Sequence, residues 1–322
     1  MDHCRGLAAF LKDSPHLAAR VCSLFVTLNV EIFTLLATME LPNLRYIHIG
    51  AGEADIMDDG VAELVQAAVA RPSIRHLRMT DMGFFSDVLA TILRSNGHLQ
   101  GLHFGRCAAI HDQLTNVSER SQRAMITHLS VARCSPSLAK LLKDPGLPLD
   151  FSKLVYANVL NSATTHLSEF LGAVRESVKW LTFGPDDVND EVDDLGDLDA
   201  DSAIYRSIEP MRFPAVTRLT LNVWSSKSIA ESLPIFSGLP PQNYIQDITY
   251  VVMGRVSRGP TWDRAKALAA AFDPGFAALP LPALERVEIR FSAALDVEDQ
   301  VSMYREAFPL LNARELLFFS SY

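Results

Sequence analysis

A short arrangement of apolar positions, L-x-x-L-x-L, returns along the whole chain. It reads Leu44-Arg45-Tyr46-Ile47-His48-Ile49, then Ile74-Arg75-His76-Leu77-Arg78-Met79, then Leu99-Gln100-Gly101-Leu102-His103-Phe104. The same spacing fits Val21…Leu24…Val26, Ile126…Leu129…Val131, Phe151…Leu154…Tyr156, Val178…Leu181…Phe183 and Val216…Leu219…Leu221. It fits again at Ile245…Ile248…Tyr250, Leu284…Val287…Ile289 and Ala313…Leu316…Phe318. Around its last two anchors each phrase alternates apolar and polar, the period of a short strand. Between the phrases lie helical patterns at 61–69, 87–94, 137–142, 167–174, 264–272 and 297–308, with Pro and Gly at the joins.

Successive middle anchors are mostly 23 to 30 residues apart, with two longer steps of 38 and 39 from Leu181 to Leu219 and from Ile248 to Val287. Self-similarity at roughly 20–29 residues marks leucine-rich repeats. One strand-plus-helix unit cannot bury its apolar face alone, so neighbours must stack. The expected fold is therefore α/β, an irregular leucine-rich-repeat solenoid with a curved parallel sheet and outer helices. It would form a single array over 1–322 with about ten or eleven repeats. Asn29, Cys107 and Cys134 each stand three residues after a strand's last anchor, where a polar group meets turn backbone. The competing fold is a doubly wound α/β domain, which also alternates strands and helices.

Charge adds one local feature. The net charge is −9, but the stretch 185–201 alone holds nine acidic residues and no Lys or Arg. Removing those nine from the 38 acids leaves 29, equal to the 29 basic residues. This stretch reads as a solvated acidic loop insertion, and an acidic docking arm is its functional alternative. The rest of the chain has no basic field suited to nucleic acid. Four cysteines without C-x-x-C spacing do not make a disulfide framework, which points to a reducing, cytoplasmic or nuclear setting. No apolar run approaches the ~20 residues that span a bilayer, so no membrane partner is expected.

The segment Phe10-Leu11-Lys12-Asp13-Ser14-Pro15-His16-Leu17, running on through Val21, Leu24 and Val26, together with the phrases that follow it, resembles the leucine-rich-repeat region of fungal F-box-like proteins. In that family an N-terminal F-box of about forty residues binds an adaptor of a ubiquitin ligase. No Leu-Pro-x-Glu-Ile helix precedes the array in this sequence, and Glu31-Ile32-Phe33-Thr34-Leu35-Leu36 follows its first strand phrase. A ubiquitin-ligase adaptor is thus a partner implied by the resemblance only. The role that carries over is substrate recognition or partner binding by the array.

Three sequence features invite chemistry and argue against it on inspection. Gly50-Ala51-Gly52 lacks the third glycine of a dinucleotide loop, and Glu53, Asp55, Asp58 and Asp59 would repel a pyrophosphate. His98, His103, Cys107 and His111 have metal-like spacing, yet alternation points them in different directions. Asp186 to Gly196 does not fit the register of a calcium loop. No catalytic, cofactor or metal residue is assigned, and no cofactor is expected. An α/β enzyme with a dispersed active site, or a decayed copy without a partner, are the alternatives to a non-enzymatic scaffold.

Because alternation turns the anchors inward, the residues between and beside them share the opposite, concave sheet face. That row runs Tyr46, His48, His76, Arg78, His103, His128, Ser130 and Lys153, then Trp180, Thr182, Arg218, Thr220, Asp247, Thr249, Arg286, Glu288 and Arg290. Tyr46, His48, His76, Arg78, His103, His128, Trp180 and Arg218 are its candidate binding residues, since aromatic and Arg side chains anchor protein interfaces. The partner expected is therefore a protein. The final run Leu317-Phe318-Phe319 should leave a strand edge that needs cover.

Overall fold

In the computed structural model, the structure describes residues 2–51, 56–57, 59–110, 114, 123–160, 165–184, 213–223, 229, 232, 236, 239, 242–252, 260–279, 281–291 and 297–321. The chain is a mixed α/β protein, and among the described residues the long strands within each unit run parallel to their neighbours. It falls into two compact units, Met1–Leu154 and Val155–Tyr322. The acidic stretch 185–201 and residues 52–55 of the glycine loop lie outside the described residues.

The first unit runs α1 (Asp2–Asp13), α2 (Pro15–Ala18), β1 (Ser23–Thr27), α3 (Val30–Thr38), β2 (Tyr46–Gly50), β3 (Ile56–Met57), α4 (Asp59–Val69) and β4 (His76–Thr80). It continues with β5 (Gly83–Phe84), α5 (Ser86–Arg94), β6 (Gly101–Gly105), β7 (Ala108–Ala109), β8 (Ala124–Met125), β9 (His128–Ala132), α6 (Pro136–Leu142) and β10 (Leu149–Asp150). The long strands pair in the order β1-β2-β4-β6-β9. Their register is uniform: Leu24, Ile47, Leu77, Leu102 and Leu129 lie side by side, as do Val26, Ile49, Met79, Phe104 and Val131. Apart from Leu24, these anchors are buried, so each strand completes the core of the next. Losing one such leucine side chain would cost about 2–5 kcal/mol.

The turn after three of these strands is itself repeated. Asp81, Arg106 and Arg133 directly follow β4, β6 and β9 and take φ of 62°, 51° and 53°. That left-handed step turns the chain off the sheet while keeping its amide in the ladder: Asp81 N donates to Gly105 O at 2.9 Å, and Arg106 N to Ala132 O at 2.7 Å. Next comes the polar turn position. The Asn29 carboxamide oxygen accepts from Glu31 N at 2.9 Å and starts α3. Cys107 Sγ donates to Met79 O at 3.3 Å, and Cys134 Sγ to Phe104 O at 3.4 Å. The contact with Cys134 and burial push the Cys107 thiol well above its ordinary range, which suits a structural thiol. Beyond the turns, β3, β5 and β7 form a second small parallel sheet, and β8 pairs with β10.

The second unit contains β11 (Tyr156–Leu160), α7 (Thr165–Val174), β12 (Trp180–Gly184), β13 (Arg218–Val223), β14 (Asp247–Val252) and α8 (Pro260–Ala277). It ends with β15 (Arg286–Phe291), α9 (Val297–Ala307), α10 (Pro309–Ala313) and β16 (Leu317–Ser321). Its six strands pair in chain order, β11 through β16. The core is more aromatic here: Tyr250, Phe272, Phe276, Phe308, Tyr304 and Phe291 are fully buried and form a chain of ring contacts. The buried Asp273 carboxylate holds α10 against this core, accepting from Leu310 N at 2.7 Å and Leu311 N at 3.1 Å.

Two phrases shift against the sequence reading. The strand expected around Leu154 is Tyr156–Leu160, and its inward anchors are Ala157 and Val159. A small central Ala disguised it, and Lys153 sits in the turn ahead of the strand, off the predicted row. In the last phrase Leu317 and Phe319 pair with Val287 and Ile289 and take the inward register, while Phe318 faces outward. A run of four apolar residues fits either parity, and only the neighbouring strand decides it.

Candidate functional site

Each unit presents one outward row of strand side chains. In the first unit the rows fall into columns fixed by the register. Ser23, Tyr46, His76, Gly101 and His128 form one, and Phe25, His48, Arg78, His103 and Ser130 form the next. A third column is small: Thr27, Gly50, Thr80, Gly105 and Ala132. All six candidates from this half of the sequence thus stand on one face. Phe25, unforeseen as a site residue, joins them, 60% exposed and with its ring 4.6 Å from that of His48. Its signal was outward parity in Leu24-Phe25-Val26, hidden by three apolar residues in a row.

The glycines make room for the rings. A Cβ on Gly101 would fall 2.1 Å from His76 Nδ1, so the His76 ring lies over Gly101. It reaches across β6 to His128, with ring centroids 6.0 Å apart, and its own pKa is lowered by burial and by that second imidazole. Gly50 likewise lies under the Phe25 ring.

The middle column is the most perturbed. His48 Nε2 bonds the Thr80 hydroxyl at 2.9 Å. Burial first, then the charge of Arg78, lowers the His48 pKa, and Asp81 partly opposes them. His103 is pushed down to about 4 by burial, then by Arg78 and His48. Both imidazoles are neutral at pH 7, and Arg78 carries the column's single charge. Among the described residues Arg78 makes no hydrogen bond or ion pair, and its Nε is sealed from solvent. Leaving such a donor unsatisfied costs about 1–3 kcal/mol. Among the described residues the nearby acid is Asp81, and it is committed: Arg106 grips both its oxygens, and that bond holds its carboxyl below the usual range.

The second unit carries the same geometry with different chemistry. Tyr156, Trp180, Arg218, Asp247 and Arg286 align across adjacent strands, beside a column of Asn158, Thr182, Thr220, Thr249, Glu288 and Phe318. All of these but Asn158 and Phe318 line an open cleft of about 360 Å³. Arg218 stacks on Trp180, 4.7 Å from the ring centre, and pairs with Asp247 at 3.1 Å. Glu288, 5% exposed, pairs with Arg286 at 3.3 Å and Arg290 at 3.1 Å and accepts from the Ser320 hydroxyl. Burial raises the Glu288 pKa, but Ser320 and the two guanidiniums outweigh it and hold the carboxyl below its usual range. Trp180 and Phe318 are each 42% exposed. Tyr156 and Phe318 were missed because both phrases were read out of register.

The sequence's metal-like cluster does not assemble. His103 stands on the sheet face, Cys107 is buried in the turn against Met79 O, and His111 lies outside the described residues. Among the described residues no group of three or more His, Cys, Asp or Glu side chains could hold a metal ion. No helix among them is long and apolar enough to cross a membrane. A hollow of about 530 Å³ elsewhere is lined by Glu298, Val301, Ser302, Arg305 and Glu306, all from α9. No protein-family model matches the chain, and no curated protein matches it.

Proposed function

We propose that this chain is a non-enzymatic protein-binding scaffold, an irregular leucine-rich-repeat solenoid that presents its curved sheet face to a partner. The observation that carries this reading is the composition of the outward rows. Phe25, Tyr46, Trp180 and Phe318 stand there beside Arg78, Arg218 and Arg286, on strands with uniform register. Exposed aromatic and Arg side chains held rigidly by a sheet are the anchors of protein interfaces. The strand period, the left-handed turns that carry Cys107 and Cys134, and the Asn29 cap after β1 support the leucine-rich-repeat assignment. Resemblance to F-box-like proteins favours substrate recognition as the role, in the cytoplasm or nucleus.

Affinity purification from native lysate with the full chain tests this. The expected result is a specific protein partner that is lost when Trp180→Ala is combined with Arg218→Ala, or when His48, Arg78 and His103 are all changed to Ala. Partners that persist in both variants would overturn the outward-face assignment, and a small-molecule turnover activity would overturn the scaffold reading.

A further inference from the structure

Among the described residues, the first unit's outward face holds a cation, Arg78, that makes no hydrogen bond or ion pair. Arg78 stands between His48 and His103 on adjacent strands, and strand spacing of ~4.8 Å makes the three groups direct neighbours. Among the described residues, the other charged groups facing this column have partners of their own. Asp81 is bound by Arg106, His48 is bonded to the Thr80 hydroxyl, and His76 and His128 pair with each other in the next column. Ser130, Tyr46 and Phe25, the remaining neighbours, bring no charge at neutral pH. Gly105 adds no side chain beside His103; a Cβ there would meet Thr80 Cγ2 at 3.1 Å and His103 Nε2 at 3.5 Å.

We propose that His48, Arg78 and His103 form a binding site for a carboxylate carried by an acidic segment of a protein partner. This deepens the scaffold reading and rests on it. Above neutral pH the charge count selects the ligand: one guanidinium between two neutral imidazoles complements a monoanion. A phosphate dianion would leave one negative charge uncompensated. The guanidinium supplies paired N–H donors matched to a carboxylate, and each imidazole adds a ring N–H. Burial first, then the charge of Arg78, keeps the imidazoles neutral; a bound anion offsets the second of these, so binding takes up protons and strengthens as pH falls.

The test uses the full chain and a fluorescein-labelled octapeptide of alternating Glu and Gly, read by fluorescence anisotropy. The expected Kd tightens by roughly threefold or more between about pH 7.5 and about pH 6. A Gln–Gly octapeptide and the Arg78→Gln variant should each weaken binding by roughly tenfold. In wild-type protein the Glu peptide should move the NMR C2–H signals of His48 and His103 and leave exposed His16 in place. Equal affinity for the two peptides, or unmoved His48 and His103 signals, overturns the proposal. So does competition at about pH 7.5 by inorganic phosphate, there mostly a dianion, at lower concentration than by acetate, which would indicate a dianion site. A chain that captures a lysate partner yet ignores the Glu peptide overturns this inference and leaves the scaffold reading standing.

Discussion

The two outward faces solve the same electrostatic problem in opposite ways. Uniform register in a parallel sheet places like positions next to each other at ~4.8 Å, so basic residues at equivalent positions become neighbours. In the second unit the arginines alternate with acids: Asp247 lies between Arg218 and Arg286, and Glu288 takes both Arg286 and Arg290. In the first unit no acid enters the ladder, and the neighbours of Arg78 are imidazoles held neutral by burial and by its charge. The second arrangement is closed within itself. The first, among the described residues, leaves the Arg78 guanidinium without an ion pair.

The largest test of that contrast is removal of charge from each face. Glu288→Gln leaves Arg286 and Arg290 facing each other without their shared acid. Because the carboxylate is buried but the arginines are 46% and 40% exposed, the expected loss is about 2–3 kcal/mol, toward the low end for a broken buried pair. Arg78→Gln, by contrast, should leave stability unchanged or raise it by up to about 1 kcal/mol, since it removes an unpaired charge. Trp180, Trp224 and Trp262, the chain's three tryptophans, all belong to the second unit. Urea unfolding followed by tryptophan fluorescence therefore reads that unit, while far-UV circular dichroism reads both. Equal destabilisation by the two substitutions would erase the distinction between the faces.

An effect of intermediate size separates the faces by pH. His103 and His48 have folded pKa values below the ordinary 6.5, so the unfolded chain binds protons first. Their contribution to stability is complete above about pH 6.5 and is lost as pH falls toward 4. Glu288 is also depressed, from 4.5, so its contribution is present above that value and is lost only below it. Lowering pH from 7 to about 5 should weaken the first unit by about 2 kcal/mol and spare the second. His103→Gln should flatten that slope in circular dichroism. A slope that survives in the variant would assign the pH response to other groups.

How much of this was legible in the sequence depended on what sets each feature. The strands from Tyr46 to Ala132 were readable because their anchors are large and alternate cleanly, and the outward row followed from parity alone. Reading failed where parity was ambiguous. Ala157 is too small to look like an anchor, and Leu316-Leu317-Phe318-Phe319 is apolar at every position. The pairing partners of Arg218 and Glu288 follow from register, which becomes fixed only when strands stack. The small strands β3, β5 and β7 have two residues each and carry no detectable period. The isolation of Arg78 was invisible for another reason: Asp81 stands three residues away and looks like a partner, but Arg106 from the next turn claims it.

The smallest expected effect tests whether the glycines shape the first face. A Cβ at Gly101 would occupy the space of the His76 ring, 2.1 Å from Nδ1, so Gly101→Ala must push that ring toward solvent. Thermodynamically the change is nearly silent. Replacing Gly by Ala in a strand recovers roughly 0.5–1 kcal/mol of backbone entropy, which offsets the packing lost around the displaced ring. The titration of His76 is the sensitive readout. Its pKa is lowered by burial and by His128, and both causes weaken once the ring swings out. The NMR midpoint of His76 should therefore rise toward 6.5 while that of His103 stays low, because Gly105 and Arg78 beside it are untouched. An unchanged His76 midpoint would show that the ring does not depend on the missing side chain. A midpoint for His103 that rose with it would show that the two columns respond as one.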